Sequence, residues 1–307
     1  MTLPSERAAR CPHTQPGLRD WFDAGTWPLG RPPVAGEDVA LPANTRVHLP
    51  RGSTPVLGVL TIPPTAELVL GSEADGSTAH FSALGVVVQG GLRAGAEGCR
   101  LRPSTRVTIT LHGQRPLTFA GLDALPRHAK GLHITGSGTL DLHGHAYTPT
   151  WTRLSRPVKP GDRFVYLQAR VGWRAGQQIV LATTALKDSR DWHRNEVLTI
   201  ESVGAAAGGG SGGGVDGGAA AAGAAPPGAD VPIKLTTAAR YRHEANAAYQ
   251  GEVGLLSRNV LVEGASSDSE PVDTLPRSCP SGIRVLGSYM PGPCEYTYLT
   301  GFGAHVF

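Results

Sequence analysis

The sequence predicts an all-β protein, and three observations carry that expectation. Glycine (41) and proline (25) are abundant over 307 residues, while aromatic residues make up only 6% and charged residues 17%. A helical bundle would need far more Glu, Lys, Leu and Gln. Short runs of Val, Ile, Leu and Thr follow one another closely, most of them bounded by Pro, Gly, Asn or Ser.

Residues 1–20 are polar and rich in turn formers, which suits an extended arm. Trp21 to Gly36 is a turn-rich segment with two tryptophans. Strands are then expected at Asp38–Leu41, Thr45–Leu49, Val56–Ile62, Glu67–Leu70, Leu84–Gln89 and Arg106–Leu111, with two more inside Gly131–Leu142. In Val56–Ile62 the alternation puts Val56, Leu60 and Ile62 on one face and Leu57 and Val59 on the other. A strand apolar on both faces suits a sheet covered on both sides. Gly71, Gly90-Gly91, Gly95 and Gly98 read as tight turns.

A second half starts near Trp151, with strands expected at Arg163–Gln168, Gln178–Ala182, Glu196–Ile200, Pro232–Leu235, Leu255–Glu263 and Ile283–Leu286. The last residues, 301–307, read as the start of another strand and so as a truncated end. Residues 204–229 are Gly/Ala-rich and carry no apolar pattern, so they are expected to be a disordered insert. Loop closure costs only ~0.6 kcal/mol per doubling of length, so such an insert is tolerated. Strand starts spaced by roughly ten residues fit a sandwich as well as a solenoid, and periodicity alone does not separate the two.

Composition also bounds function. The net charge of +3 is mild, and no Lys/Arg run suggests a nucleic-acid partner. No apolar run approaches the ~18 residues of a membrane span. Met1–Cys11 has no apolar signal region, which leaves a cytosolic chain or an incomplete N-terminus. Cys11, Cys99, Cys279 and Cys294 contain no C-x-x-C pair. Cys279 and Cys294 flank a Pro/Gly-rich loop and could form a local staple, leaving Cys11 with Cys99; four buried free thiols are the alternative. No nucleophile elbow, H-E-x-x-H or phosphate-binding loop occurs.

Four segments carry a family resemblance. The first is Trp27-Pro28 with Pro33, Gly36, Glu37-Asp38-Val39 and Gly90-Gly91-Leu92-Arg93-Ala94-Gly95. The second is Leu140-Asp141-Leu142-His143-Gly144 followed by Trp151-Thr152-Arg153-Leu154. The third is Gly172-Trp173-Arg174-Ala175-Gly176-Gln177-Gln178-Ile179-Val180, with Gln177 at a position where Asp is usual. The fourth is Glu252-Val253-Gly254-Leu255-Leu256-Ser257-Arg258-Asn259-Val260. In this order, over residues 27–260, they resemble the G8-domain family of fibrocystin, transmembrane protein 2 and the cell migration-inducing hyaluronan-binding protein. The resemblance implies a right-handed parallel β-helix, with a G8 domain over 21–154 and a pectin-lyase-like β-helix beginning at 155–307. It also implies an extracellular or cell-surface setting and disulfides Cys11–Cys99 and Cys279–Cys294. Hyaluronan-active members carry a long module after W-T-x-L and a later H-F-H segment. Here Leu154 runs on almost directly to Val158-Lys159-Pro160-Gly161-Asp162, which weighs against an enzyme.

Candidate sites follow from residue chemistry. His143 and His145 on a strand would share a face with Asp141, a usable metal geometry against the plainer reading of solvated side chains. Asp188, Asp191, His193 and Glu196 could supply oxygen ligands for calcium. Arg240, Arg242 and Arg258 could meet the carboxylates of an anionic glycan, with ordinary salt bridges as the alternative. Trp21, Trp27, Trp151, Trp173 and Trp192 could include a sugar-stacking ring, although most are expected to fill the core. The expected function is an extracellular glycan- or protein-binding module. A hyaluronidase-like enzyme and a structural spacer are the rival readings.

Overall fold

The computed structural model describes residues 11–113, 129–185, 194–204, 230–265 and 305–306. Among these the regular elements are strands, apart from single-turn 3₁₀ segments such as Pro12–Thr14 and Ala24–Thr26. It divides into two compact units: residues up to His145 with those from Arg258 on, and the inserted Ala146–Ser257.

The first unit is built from strands that alternate between two sheets. They are β1 (Leu18–Asp20), β2 (Val39–Ala40), β3 (Arg46–Leu49), β4 (Gly52–Ser53), β5 (Leu57–Ile62), β6 (Glu67–Leu70), β7 (Thr78–Val88), β8 (Gly91–Ala94), β9 (Arg106–Leu111), β10 (Gly131–Ile134) and β11 (Thr139–Leu142). β1, β3, β6, β8 and β11 form one sheet in that order, all parallel. In the other sheet the first half of β7 pairs with β4 and β9, and its second half with β5 and β10. Each circuit of chain therefore lays its strands beside those of the circuit before. Like side chains stack as a result: Val47, Leu68, Leu92 and Leu140 stand in register across one sheet, and Leu60, Val86 and Leu132 across the other. Trp21 closes this core edge-on against Trp27 and Phe81, with ring centroids 4.8 and 5.8 Å away.

The corners break the strand alternation. In β7, Ala79, Phe81 and Ala83 point inward, and then Val86 and Val88 do. The inward set changes parity at Leu84-Gly85, where the strand turns a corner within one circuit, with β4 and β5 of the preceding circuit on one side and β9 and β10 of the next on the other. β5 does the same, with Leu57, Leu60 and Ile62 all fully buried. This corrects the expectation that Val56 shares a face with Leu60 and Ile62, since Val56 is only partly buried. Gly91, expected in a turn, instead begins β8. Gly90 is needed for close approach, because a Cβ there would fall 2.1 Å from the Ala66 carbonyl oxygen and 2.3 Å from that of Pro63.

The second unit holds β12 (Trp151–Arg153), β13 (Phe164–Leu167), β14 (Gln178–Leu181), β15 (Glu196–Val203), β16 (Val231–Leu235) and β17 (Glu252–Leu255). They pair antiparallel in the order β12-β17-β14-β15-β16-β13, with a register shift between Ile200 and Ser202. A bridge between Leu154 and Leu167 brings the two edge strands together. Leu154, Val165, Leu167, Ile179, Ile200, Ile233, Leu235 and Val253 are fully buried inside. Parallel rungs were expected from residue 155 on, and these strands are antiparallel instead. The reason lies in their patterning: β13, β14 and β16 alternate strictly between a buried and a more exposed face, as one-sided antiparallel sheets do.

The chain then rejoins the first unit. β18 (Val260–Gly264) pairs parallel with β9, and β19 (His305–Val306) pairs parallel with β10. The strand expected over Leu255–Glu263 is thus two strands in two units. Residues 205–229, the expected strand Ile283–Leu286, Cys279, Cys294, Trp192, Asp188, Asp191 and His193 lie outside the described residues.

Candidate functional site

The outer face of the first sheet carries a charged row. Glu67 accepts from Arg46 Nε at 2.8 Å and from Arg93 Nε at 3.1 Å. Arg93 Nη1 donates to Asp141 Oδ2 at 2.7 Å, and Asp141 Oδ1 faces His143 Nε2. Asp141 and His143 do meet, although the strand ends at Leu142 so that His143 and His145 lie beyond it rather than on a strand face, and a guanidinium occupies the same carboxylate. The His145 backbone N–H donates to Asn259 Oδ1 at 2.8 Å.

Asn259 is a site residue that composition gave no reason to single out. It is 5% exposed, and its Nδ2 donates to the carbonyls of Arg102 (2.9 Å) and Thr105 (3.0 Å). One amide therefore ties together the ends of the first unit between which the second unit is inserted. Gly144 must be glycine for this, since a Cβ would lie 2.5 Å from Asn259 Oδ1. The other motifs are also structural. Asp38 Oδ1 accepts from the Val59 N–H at 2.7 Å, and Glu37 Oε2 from Val34 N–H at 3.0 Å. Arg31 beside Glu37 holds that carboxyl below its ordinary value. Gln177 Oε1 accepts from Arg174 N–H at 2.7 Å, so the amide closes the turn where an Asp is usual.

The disulfide Cys11–Cys99 is present, with Cα atoms 5.2 Å apart and 88 residues of separation. Glu73 Oε1 lies 3.7 and 3.6 Å from the two sulfurs and 3.5 Å from His13 Nε2. Burial pushes the His13 pKa down, and Glu73 opposes that shift.

In the second unit, Arg240–His243 is not a strand, so Arg240 and Arg242 do not share a strand face. Both are exposed. Arg240 lies 5.6 Å from the Tyr241 ring centroid, and Arg242 is forked onto Glu244. That pairing lowers the Glu244 pKa and raises that of Arg242. Arg258 is exposed and belongs to the first unit. Glu196, named above as a possible calcium ligand, is 6% exposed and accepts from the N–H groups of Arg240 (2.7 Å) and Tyr241 (2.9 Å). It also meets His243 Nε2 at 2.9 Å, while His243 Nδ1 faces the Ala182 carbonyl at 2.9 Å. This carboxylate holds a loop to β15.

Trp21, Trp27 and Trp173 are at most 6% exposed, whereas Trp151 is 54% exposed. Its cross-strand neighbour is Gly254, which is followed across the sheet by Val180 and then Val197. Gly254 leaves the flank of the indole uncovered, and Val197 is itself 56% exposed. The Arg153 guanidinium stands 6.0 Å from the indole centroid.

The family model for the G8 domain matches residues 26–155. The chain contains a G8 domain. A G8 domain-containing protein of Dictyostelium discoideum is 31% identical over 272 residues, covering 87% of this chain and 16% of that protein. Protein rliB of the same organism is 29% identical over 267 residues, covering 86% of this chain and 21% of its own length. Human fibrocystin-L is 30% identical over 278 residues, covering 86% of this chain and 6% of its own length. The chain thus spans at most about a fifth of these G8 relatives. Within the G8 match lie Asp38, Gly90, Arg93 and Asp141, whose contacts are all internal to the fold.

Proposed function

We propose that the chain is a recognition module of an extracellular or cell-surface protein, and that it binds an anionic glycan at the exposed face around Trp151. The observation that carries the reading is the exposure of Trp151 when the other described tryptophans are buried. An indole left half in water keeps a face for a sugar ring, and its uncovered flank at Gly254 gives the ring room. Arg153 beside it supplies a fork that matches a sugar carboxylate. Arg240 adds positive charge to the same unit, and Arg242 could do so by exchanging Glu244 for a sugar carboxylate. A buried disulfide supports placement in an oxidising compartment. The parallel circuits of the first unit are assigned the right-handed winding of a β-solenoid, the hand that parallel crossovers adopt almost always.

Affinity electrophoresis through gels cast with hyaluronan, with neutral dextran as control, tests this. The hyaluronan gel should retard the protein. Trp151→Ala should weaken retention by roughly tenfold or more, the usual scale for truncating an aromatic anchor. Equal retention of wild type and variant, or no retardation, would remove the glycan reading. Shortening of the hyaluronan would favour the enzyme instead.

A further inference from the structure

We propose that the reduced chain binds a zinc-type divalent cation through Cys11, His13, Glu73 and Cys99, so that the disulfide and the metal site are two states of one cluster.

The four residues come from three places in the first unit: the N-terminal strap, the turn after β6 and the turn after β8. The ligand atoms all lie within 4.8 Å of one another. His13 to Glu73 is 3.5 Å, and Glu73 to the sulfurs is 3.6 and 3.7 Å. Ligands ~2.0–2.3 Å from a tetrahedral zinc stand roughly 3.3–3.8 Å apart, so the spacings of Glu73 from His13 and from each sulfur suit one shared ion, and the two sulfurs, bonded to each other here, must part to about 3.8 Å once reduced. Two thiolates, one imidazole and one carboxylate are all established zinc donors.

His13 is the second, independent observation. Its side chain is 2% exposed, yet neither ring nitrogen has a hydrogen-bond partner among the described residues. Nothing in a disulfide uses an imidazole held in this way, and a buried polar group without a partner is costly. A metal would satisfy it. Glu73, with its side chain 45% exposed, gives the cluster its route to solvent.

The redox step balances with a dithiol reductant. It gives two electrons and two protons to the disulfide and closes to its own disulfide. The two new thiols lose those protons as they bind the cation. Oxidation reverses the step and ejects the metal.

The test uses the full chain carrying Cys279→Ser and Cys294→Ser, so that only two thiols remain. It is reduced with dithiol, freed of reductant anaerobically, and titrated with cobalt(II) and then zinc(II). One cobalt per chain should bind with a thiolate charge-transfer band and tetrahedral d–d bands, and one zinc should displace it. The oxidised chain should bind none. His13→Ala should weaken cobalt binding at least tenfold while leaving the fold of the oxidised chain intact, because it removes a side chain with no hydrogen bonds. Glu73→Gln should weaken it less. A folded reduced chain with two counted thiols and no band would overturn the proposal. So would a band that neither variant changes. If reduction unfolds the chain, zinc should restore its strand signal, and failure to do so also overturns the proposal.

Discussion

Replacing Asn259 with Asp should strongly destabilise the first unit although the two side chains have the same shape. The wild-type amide donates to the carbonyls of Arg102 and Thr105, the latter bond buried, and accepts from the His145 N–H. The Asp carboxylate keeps the third bond and loses both donors, and it turns an anionic oxygen toward two carbonyl oxygens. Two hydrogen bonds at about 1 kcal/mol each, plus the cost of unsatisfied groups at a residue 5% exposed, give a loss of roughly 3–5 kcal/mol. For a chain of this size each kcal/mol moves Tm by about 2–4 °C, so the drop should be on the order of 10 °C. Thermal unfolding followed by near-UV circular dichroism reads it. The deficit should shrink as pH falls from about 7 to 5, because the folded state raises the pKa of this Asp and its protonated form regains one donor. A melting point within a degree or two of wild type, or a deficit that pH leaves unchanged, would refute the role given to this amide.

Gly90→Ala should abolish folding or leave an unstable product by hydrogen exchange, since a Cβ has two backbone oxygens within 2.3 Å. Cys99→Ser should cost up to about 4–5 kcal/mol of urea-unfolding stability, the chain-entropy value for closing a loop of this length. An unchanged midpoint would show that the pair does not form. His13 and His48 both have pKa values below their ordinary 6.5, chiefly through desolvation, so the unfolded chain binds more protons in acid. Stability should be full above that value and fall as pH drops below it. His48→Asn should flatten the slope in urea titrations between about pH 7 and 5.

Much of the β content was legible because Val/Leu/Ile runs bounded by turn residues mark strands irrespective of how they pair. What was not legible has physical causes. The corner inside β7 reverses which parity points inward, so Phe81 and Val86 share a core that no single alternation predicts. Gly91 looks like a turn but serves as a strand residue packed beside the Glu67 side chain. The antiparallel second unit was written in the strict alternation of β13 and β16, and the expectation of continuing parallel rungs masked it. Of the site residues, Asp141 and His143 meet because they are two apart in the chain, His143 lying just past the end of β11. Asn259 and the His13–Glu73 pair depend on residues 60 (73 − 13) to 157 positions apart, which no local pattern reveals.

The glycan reading turns on Trp151, and indole nitrogen-15 NMR during titration with an acidic hyaluronan oligosaccharide addresses it most directly. The Trp151 resonance should shift saturably, while those of Trp21, Trp27 and Trp173 stay in place. A Trp151 resonance that stays fixed through the titration would contradict the account.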